Sequence, residues 1–86
     1  KIAICTDHPE TPIQYLPLCA AMAVRGGLDP EEALAAITSS AARLRAFQAV
    51  GTLTPGKDAD VVVTSGHPFD WNGSIRAVFL NGRRVK

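Results

Sequence analysis

Residues 2–9 constrain the chain more than any other stretch. Ile2, Ala3, Ile4 and Cys5 run without a strongly polar residue into Thr6-Asp7-His8-Pro9. A run that is apolar on successive positions fits a strand buried on both faces, as in parallel sheets. Pro9 cannot donate to a ladder, so the strand is predicted to end near Asp7. A carboxylate and an imidazole then stand at the C-terminal edge of a buried strand. In parallel α/β folds, and in α/β barrels above all, that edge is where chemistry is carried. On this context alone two readings of Asp7 stand side by side: an active-site carboxylate, and an Asp capping a turn before a proline-rich loop.

Composition narrows the partners. The 86 residues are 47% apolar with a formal net charge of +1, which gives no electrostatic reason to seek nucleic acid or an anionic membrane. No apolar run is long enough to span a bilayer as a helix. The two cysteines, Cys5 and Cys19, make no disulfide framework and read as reduced thiols of a cytoplasmic protein. A chain of this length buries a limited core. It opens in mid-strand with no turn before it, and so reads as the C-terminal piece of a longer chain.

Past the loop Glu10-Thr11-Pro12, the residues Ile13, Leu16, Ala20, Ala23 and Val24 recur near the helical period. Pro17 belongs in a first turn, so the helix is predicted from Tyr15 or Leu16 to Arg25, stopped by Gly26-Gly27. Asp29-Pro30-Glu31-Glu32 reads as a helix start, with Asp29 as N-cap, Pro30 at the first position and Glu32 closing a capping box. Those carboxylates suit the helix dipole and call for no catalytic role. The helix is predicted to about Thr38. A short third helix follows over 41–46, capped by Ser39 or Ser40. Arg43 and Arg45 on it read as solvated.

At Gly51 the character changes. Thr54-Pro55-Gly56-Lys57 is predicted to form a type II turn, and Val61-Val62-Val63-Thr64 a strand. In that strand Val61 and Val63 share one face and Val62 takes the other. A loop over 65–73 leads to a second strand over 75–80. Asn81-Gly82 marks a hairpin, with Arg83 to Lys86 returning. Within the loop, His67 reads as surface structure, and Phe69 and Trp71 as the residues that pack it down. Lys57 reads as a turn residue paired with Asp58 or Asp60. Residues 1–50 thus form a βααα segment and residues 51–86 an all-β segment.

Four pieces of this order carry a resemblance. Thr6-Asp7-His8-Pro9 after an apolar run resembles the last metal-ligand motif of the amidohydrolase superfamily. Residues 27–38 are similar to the helix pair that follows its barrel. Gly51, Leu53, Pro55-Gly56-Lys57-Asp58-Ala59-Asp60 and the valines after them are similar to the segment re-entering its small β-sandwich. Val78, Asn81-Gly82 and Val85 resemble its closing hairpin. The likeness spans almost the whole chain and is greatest to the imidazolonepropionase-related amidohydrolases, with dihydroorotase and hydantoinase types next.

The resemblance implies an α/β fold. Residues 1–50 would be the end of a TIM-like (β/α)8 barrel, its last strand plus helices, and residues 51–86 the C-terminal strands of a small composite β-sandwich. It implies one or two divalent metals, usually zinc, at the C-terminal ends of the barrel strands. Their ligands would be a His-x-His pair, a carboxylated Lys or a Glu, two further His and one Asp on the last strand. Of these this chain holds the Asp, which maps to Asp7. The implied activity is hydrolysis of C–N bonds other than peptide bonds, often in cyclic amides. The implied partners are the remainder of the parent chain, with its N-terminal barrel and sandwich strands, and a small-molecule substrate; a homo-oligomer stays open. Alone, the chain is expected to be incomplete and inactive. The alternative from a different class is a non-catalytic α+β structural or binding module, with Asp7 as a capping residue.

Elementary chemistry accommodates the implied role. A divalent metal lowers the pKa of bound water to about 7, and a carboxylate beside it can accept a proton and deliver it to a leaving nitrogen. Asp7 is therefore expected to be both metal ligand and proton shuttle. His8 points to the other side of a regular strand, so it shares no metal with Asp7 unless the backbone turns. It is a substrate-binding candidate or, more simply, a residue that packs the loop. Dihydroorotase-like motifs that begin Asp-His carry a second His a few residues on. Pro9-Glu10-Thr11-Pro12 has none, which argues against a dihydroorotate-type site. No phosphate-binding glycine loop, Cys-x-x-Cys or serine nucleophile elbow is present, and Pro55-Gly56-Lys57 lacks the spacing of a phosphate loop.

Overall fold

Asp29 and Pro30 start the best-defined helix. The computed structural model describes residues 2–70 and 72–86. In it the Asp29 carboxylate accepts the N–H groups of Glu31 and Glu32 at 3.0 and 3.2 Å, which satisfies two of the donors a helix start leaves free. Both bonds run to one Asp29 oxygen, and among the described residues Glu32 returns none, so the box stays half closed. Helix α2 runs Pro30–Ala36, two residues short of the expectation. Before it, a 3-10 turn, Ile13–Tyr15, leads into α1, Leu16–Arg25, with Pro17 in the first turn as expected. Gly27, at φ +118°, ends that helix.

Helix α3, Ser39–Leu44, begins earlier than expected and without a side-chain cap. The reason lies at Thr38, whose hydroxyl donates to Leu34 O at 2.8 Å and is spent on the preceding helix. Its carbonyl instead receives Ala42 N–H at 2.9 Å. At the other end Ala46 N–H reaches Arg43 O at 3.1 Å and Phe47 N–H reaches Ala42 O at 2.8 Å, with Ala46 at φ +59°. That is the Schellman closure, built on alanine where glycine is usual. A left-handed L-residue costs roughly 1–2 kcal/mol, part of which is offset by the extra unfolded-state freedom of glycine. Ala46→Gly is therefore expected to stabilise the protein by about 0.5–1 kcal/mol, read as a raised Tm; a lowered Tm contradicts the closure.

The all-β segment follows the expected plan. Lys57 N–H bonds Thr54 O at 3.1 Å around Gly56 at φ +93°, giving the type II turn. Strands β1, Val61–Thr64, β2, Ile75–Leu80, and β3, Arg83–Arg84, form an antiparallel sheet in the order β1-β2-β3. Asn81 and Gly82, at φ +52° and +81°, make the two-residue turn between β2 and β3. Asp60 braces this hairpin: its carboxylate accepts Asn81 N–H at 2.8 Å, while Gly82 N–H bonds Ala59 O at 2.9 Å. Lys57 donates to Gln48 O at 2.6 Å. The expected Lys57–Asp58 or Lys57–Asp60 pair is thus replaced: the Lys57 ammonium is taken by a backbone carbonyl and the Asp60 carboxylate by a turn amide. In the 65–73 loop His67 Nδ1 accepts Phe69 N–H at 3.1 Å and its ring meets Phe69 edge-on at 4.8 Å. The packing role expected of Trp71 falls outside the described residues.

The expected strand over 2–7 does not form in this chain. Residues 2–6 belong to no ladder, since the three strands pair among themselves elsewhere. A parallel strand takes its bonds from neighbouring strands. Among the described residues, the one backbone bond from this segment to the helices runs from Ile4 N–H to Ala36 O at 3.0 Å and lays it along the end of α2. Ile4 is half-buried and Thr6 buried, whereas Ala3, Cys5 and Asp7 are exposed. The Ile4 and Thr6 side of the segment is covered only in part, since Ile2 on that side is exposed, and the other side is open.

The core is made of alanine. Ala20, Ala33 and Ala36 are fully buried, Ala42 and Ala77 nearly so, and no large side chain among the described residues is. Small residues let the helices approach closely, with α1 on α2 and α2 on α3. Large apolar side chains lie outside instead: Met22 is 64% exposed, Phe47 56% and Leu53 85%. On β1, Val62 and Val63 belong to opposite faces and are both exposed. Neither face of that strand is buried within the chain, and its outer edge carries no neighbour among the described residues.

Candidate functional site

Asp7 stands where the segment along the helices turns back. Its backbone is left-handed, φ +53°, and Glu10 N–H closes the turn onto Asp7 O at 2.9 Å. Thr11 N–H bonds Thr6 O at 3.3 Å just inside it, and the His8–Pro9 peptide is cis. Aspartate is one of the few side chains that tolerate this conformation. The carboxylate is exposed and accepts no hydrogen bond among the described residues. A capping Asp would hold a nearby N–H, as Asp29 does; in this turn it is the backbone carbonyl of Asp7 that takes the bond.

His8 follows on a backbone that has already turned, so strand alternation no longer decides where it points. Its Nδ1 accepts Ile13 N–H at 3.1 Å, at the start of the 3-10 turn. That matches a residue packing the loop, and it leaves Nε2 of this exposed ring without a hydrogen bond among the described residues. Ile13 and Thr11, whose amides tie the loop, carried no sequence signal, because every residue but proline owns the same donor. Cys5, exposed two residues before Asp7, is a free thiol, as is half-buried Cys19.

Residues 1–85 match the sequence model of the amidohydrolase family. The chain belongs to the amidohydrolase family. A solved amidohydrolase from Thermotoga maritima MSB8 superposes on this chain with a TM-score of 0.94 at 38% sequence identity. The superposition covers 99% of this amidohydrolase chain and 22% of the Thermotoga protein. No curated protein gives a match.

The amidohydrolase family generally uses divalent metals, and the donor set present here tests how far this chain meets that need. Among the described residues no three His, Cys, Asp or Glu side chains gather in one place. Asp7 is a single hard oxygen donor, His8 has committed one nitrogen to Ile13, and His67 has committed one to Phe69 in the all-β segment. Zinc sites draw on three or four protein ligands. These residues fit one ligand of such a site and do not make the site themselves.

Proposed function

We propose that this chain is the C-terminal part of a metal-dependent amidohydrolase that hydrolyses C–N bonds other than peptide bonds, in cyclic amides of the kind handled by imidazolonepropionase-related enzymes. Residues 1–50 end its (β/α)8 barrel and residues 51–86 supply the last strands of its small β-sandwich. The observation that carries the reading is the Thermotoga likeness, which takes in nearly all of this chain and under a quarter of the other. The exposed apolar side chains, the open edge of β1 and the uncovered face of residues 2–6 support it, since each is a surface that further strands and helices of a cytoplasmic parent enzyme would cover.

In this reading Asp7 is the carboxylate of the last barrel strand. A bound divalent metal, with zinc the best fit to the family's His-rich ligand set, would supply Lewis acidity and an acidified water. The work of this chain is proton handling. Ionised, Asp7 is acceptor-only; either oxygen can take the proton released as water attacks the amide carbon. The same group then donates that proton to the departing nitrogen, which leaves poorly as an anion. The short stem, held at a turn closed by Glu10 and Thr11, keeps the carboxylate in one place between the two transfers.

The experiment compares the full-length parent with the 86-residue chain. The parent is expected to contain a divalent metal and to hydrolyse at least one member of a cyclic-amide panel. The chain alone is expected to self-associate through its open apolar surface and to turn over nothing, with or without added zinc. An 86-residue chain that is monomeric, cooperatively folded and active overturns the reading, as does a parent without bound metal.

A further inference from the structure

We infer that His8 is a positioning residue for Asp7, pinning through Nδ1 the turn on which the carboxylate stands. The inference rests on the role of Asp7 proposed above. Three hydrogen bonds close the loop between residues 6 and 13. Two are backbone to backbone, from Glu10 N–H to Asp7 O and from Thr11 N–H to Thr6 O. The third runs from Ile13 N–H to His8 Nδ1 at 3.1 Å and is the one that depends on a side chain. It ties the neighbour of Asp7 to the 3-10 turn Ile13–Tyr15, which continues directly into α1. The loop is thereby anchored to a helix.

Such an anchor matters because of the backbone at Asp7. A φ of +53° is tolerated by aspartate better than by most L-residues but is still less favourable than negative φ, so the bonds around the turn help to hold it. Without the tie, Asp7 can relax toward negative φ, which swings its carboxylate away. The tie also settles the ring. Neutral imidazole has one acceptor nitrogen and one N–H. With Nδ1 accepting, the neutral ring carries its proton on Nε2, which is then a donor and not an acceptor.

Three variants of the full-length enzyme separate this role from others. Asn carries its amide oxygen as many bonds from Cα as Nδ1, and so can still accept from Ile13. Gln reaches only the position of Nε2, and Ala reaches neither. His8→Asn is expected to keep kcat near that of the parent. His8→Gln and His8→Ala are expected to lose about 10–100-fold in kcat, the usual cost of removing a group that orients a ligand, with KM little changed. In 15N spectra of the imidazole-labelled enzyme, the His8 Nδ1 signal, identified by its loss in His8→Asn, is expected at the shift of an unprotonated ring nitrogen. Rescue by Gln but not Asn overturns the proposal in favour of direct action by Nε2. Parental kcat in His8→Ala, or a protonated Nδ1, also overturns it. These failures beside an inactive Asp7→Asn enzyme remove the positioning role alone. Parental kcat in Asp7→Asn removes the function reading and the positioning role together, and leaves the Nδ1 signal unmoved.

Discussion

Asp7→Asn in the full-length enzyme is expected to lower kcat by at least about a hundredfold, the lower range for removing a general base. The substitution keeps the shape of the side chain, and asparagine also tolerates left-handed backbone, so the turn closed by Glu10 and Thr11 should survive. What goes is the negative charge and the proton acceptor. Metal is expected to remain bound, more weakly, since one anionic ligand among several is lost. KM should change less than kcat, the pattern for an interaction made mainly in the transition state. Asp7→Ala should be no better. Steady-state kinetics and metal content, measured on the same samples, make the test. Near-normal kcat with full metal would return Asp7 to the role of a turn residue.

The second large effect is expected at Gly51 and concerns stability. Gly51 lies at φ +103°, outside the comfortable range of L-residues. A Cβ there would stand 2.8 Å from Ala42 Cβ, 3.3 Å from Ser39 Cα and 3.4 Å from Thr38 O. The chain enters its all-β segment by pressing bare backbone against α3. Two bonds hold the same junction, from Asp58 N–H to Ala49 O at 2.7 Å and from Lys57 Nζ to Gln48 O. Gly51→Ala therefore adds backbone strain of about 1–3 kcal/mol to overpacking of about 1–3 kcal/mol. A total loss of about 2–6 kcal/mol is expected, measured by denaturant unfolding of the full-length protein. Combining it with Ala42→Gly tests the cause. The double variant should recover the steric share and leave the strain, a coupling that a double-mutant cycle reads directly. A Gly51→Ala protein within about 0.5 kcal/mol of the parent, the range of a neutral surface change, contradicts the close approach.

What could be read in the sequence was local chemistry. Asp29-Pro30, Pro55-Gly56 and Asn81-Gly82 each specify a backbone shape within four residues, and each stands where it was expected. Helix α1 is legible from the helical period of its apolar residues, β1 from its β-prone valines and β2 from the Asn81-Gly82 turn that follows it. Ala46 is not, since its left-handed cap is imposed by the Schellman bonds and alanine advertises no such preference. The cap expected from Ser39 or Ser40 falls for a related reason: both lie inside α3, and the Thr38 hydroxyl at its start bonds Leu34 O, a choice that depends on how α2 and α3 meet. The strand expected over 2–7 rests on a pattern whose hydrogen bonds must come from other strands, and the three strands of this chain pair elsewhere. At the candidate site Asp7 could be named from its motif. The His8–Ile13 tie could not, because its donor is a backbone amide.

In the function proposed for this chain, the Asp7 carboxylate belongs to the metal centre of an amidohydrolase. The most direct measurement is a crystal structure of the metal-loaded, full-length enzyme with the metal located by its anomalous scattering. The expected result is an Asp7 oxygen in the coordination shell, beside ligands contributed from outside these 86 residues. A complete ligand set that leaves Asp7 in solvent would contradict it.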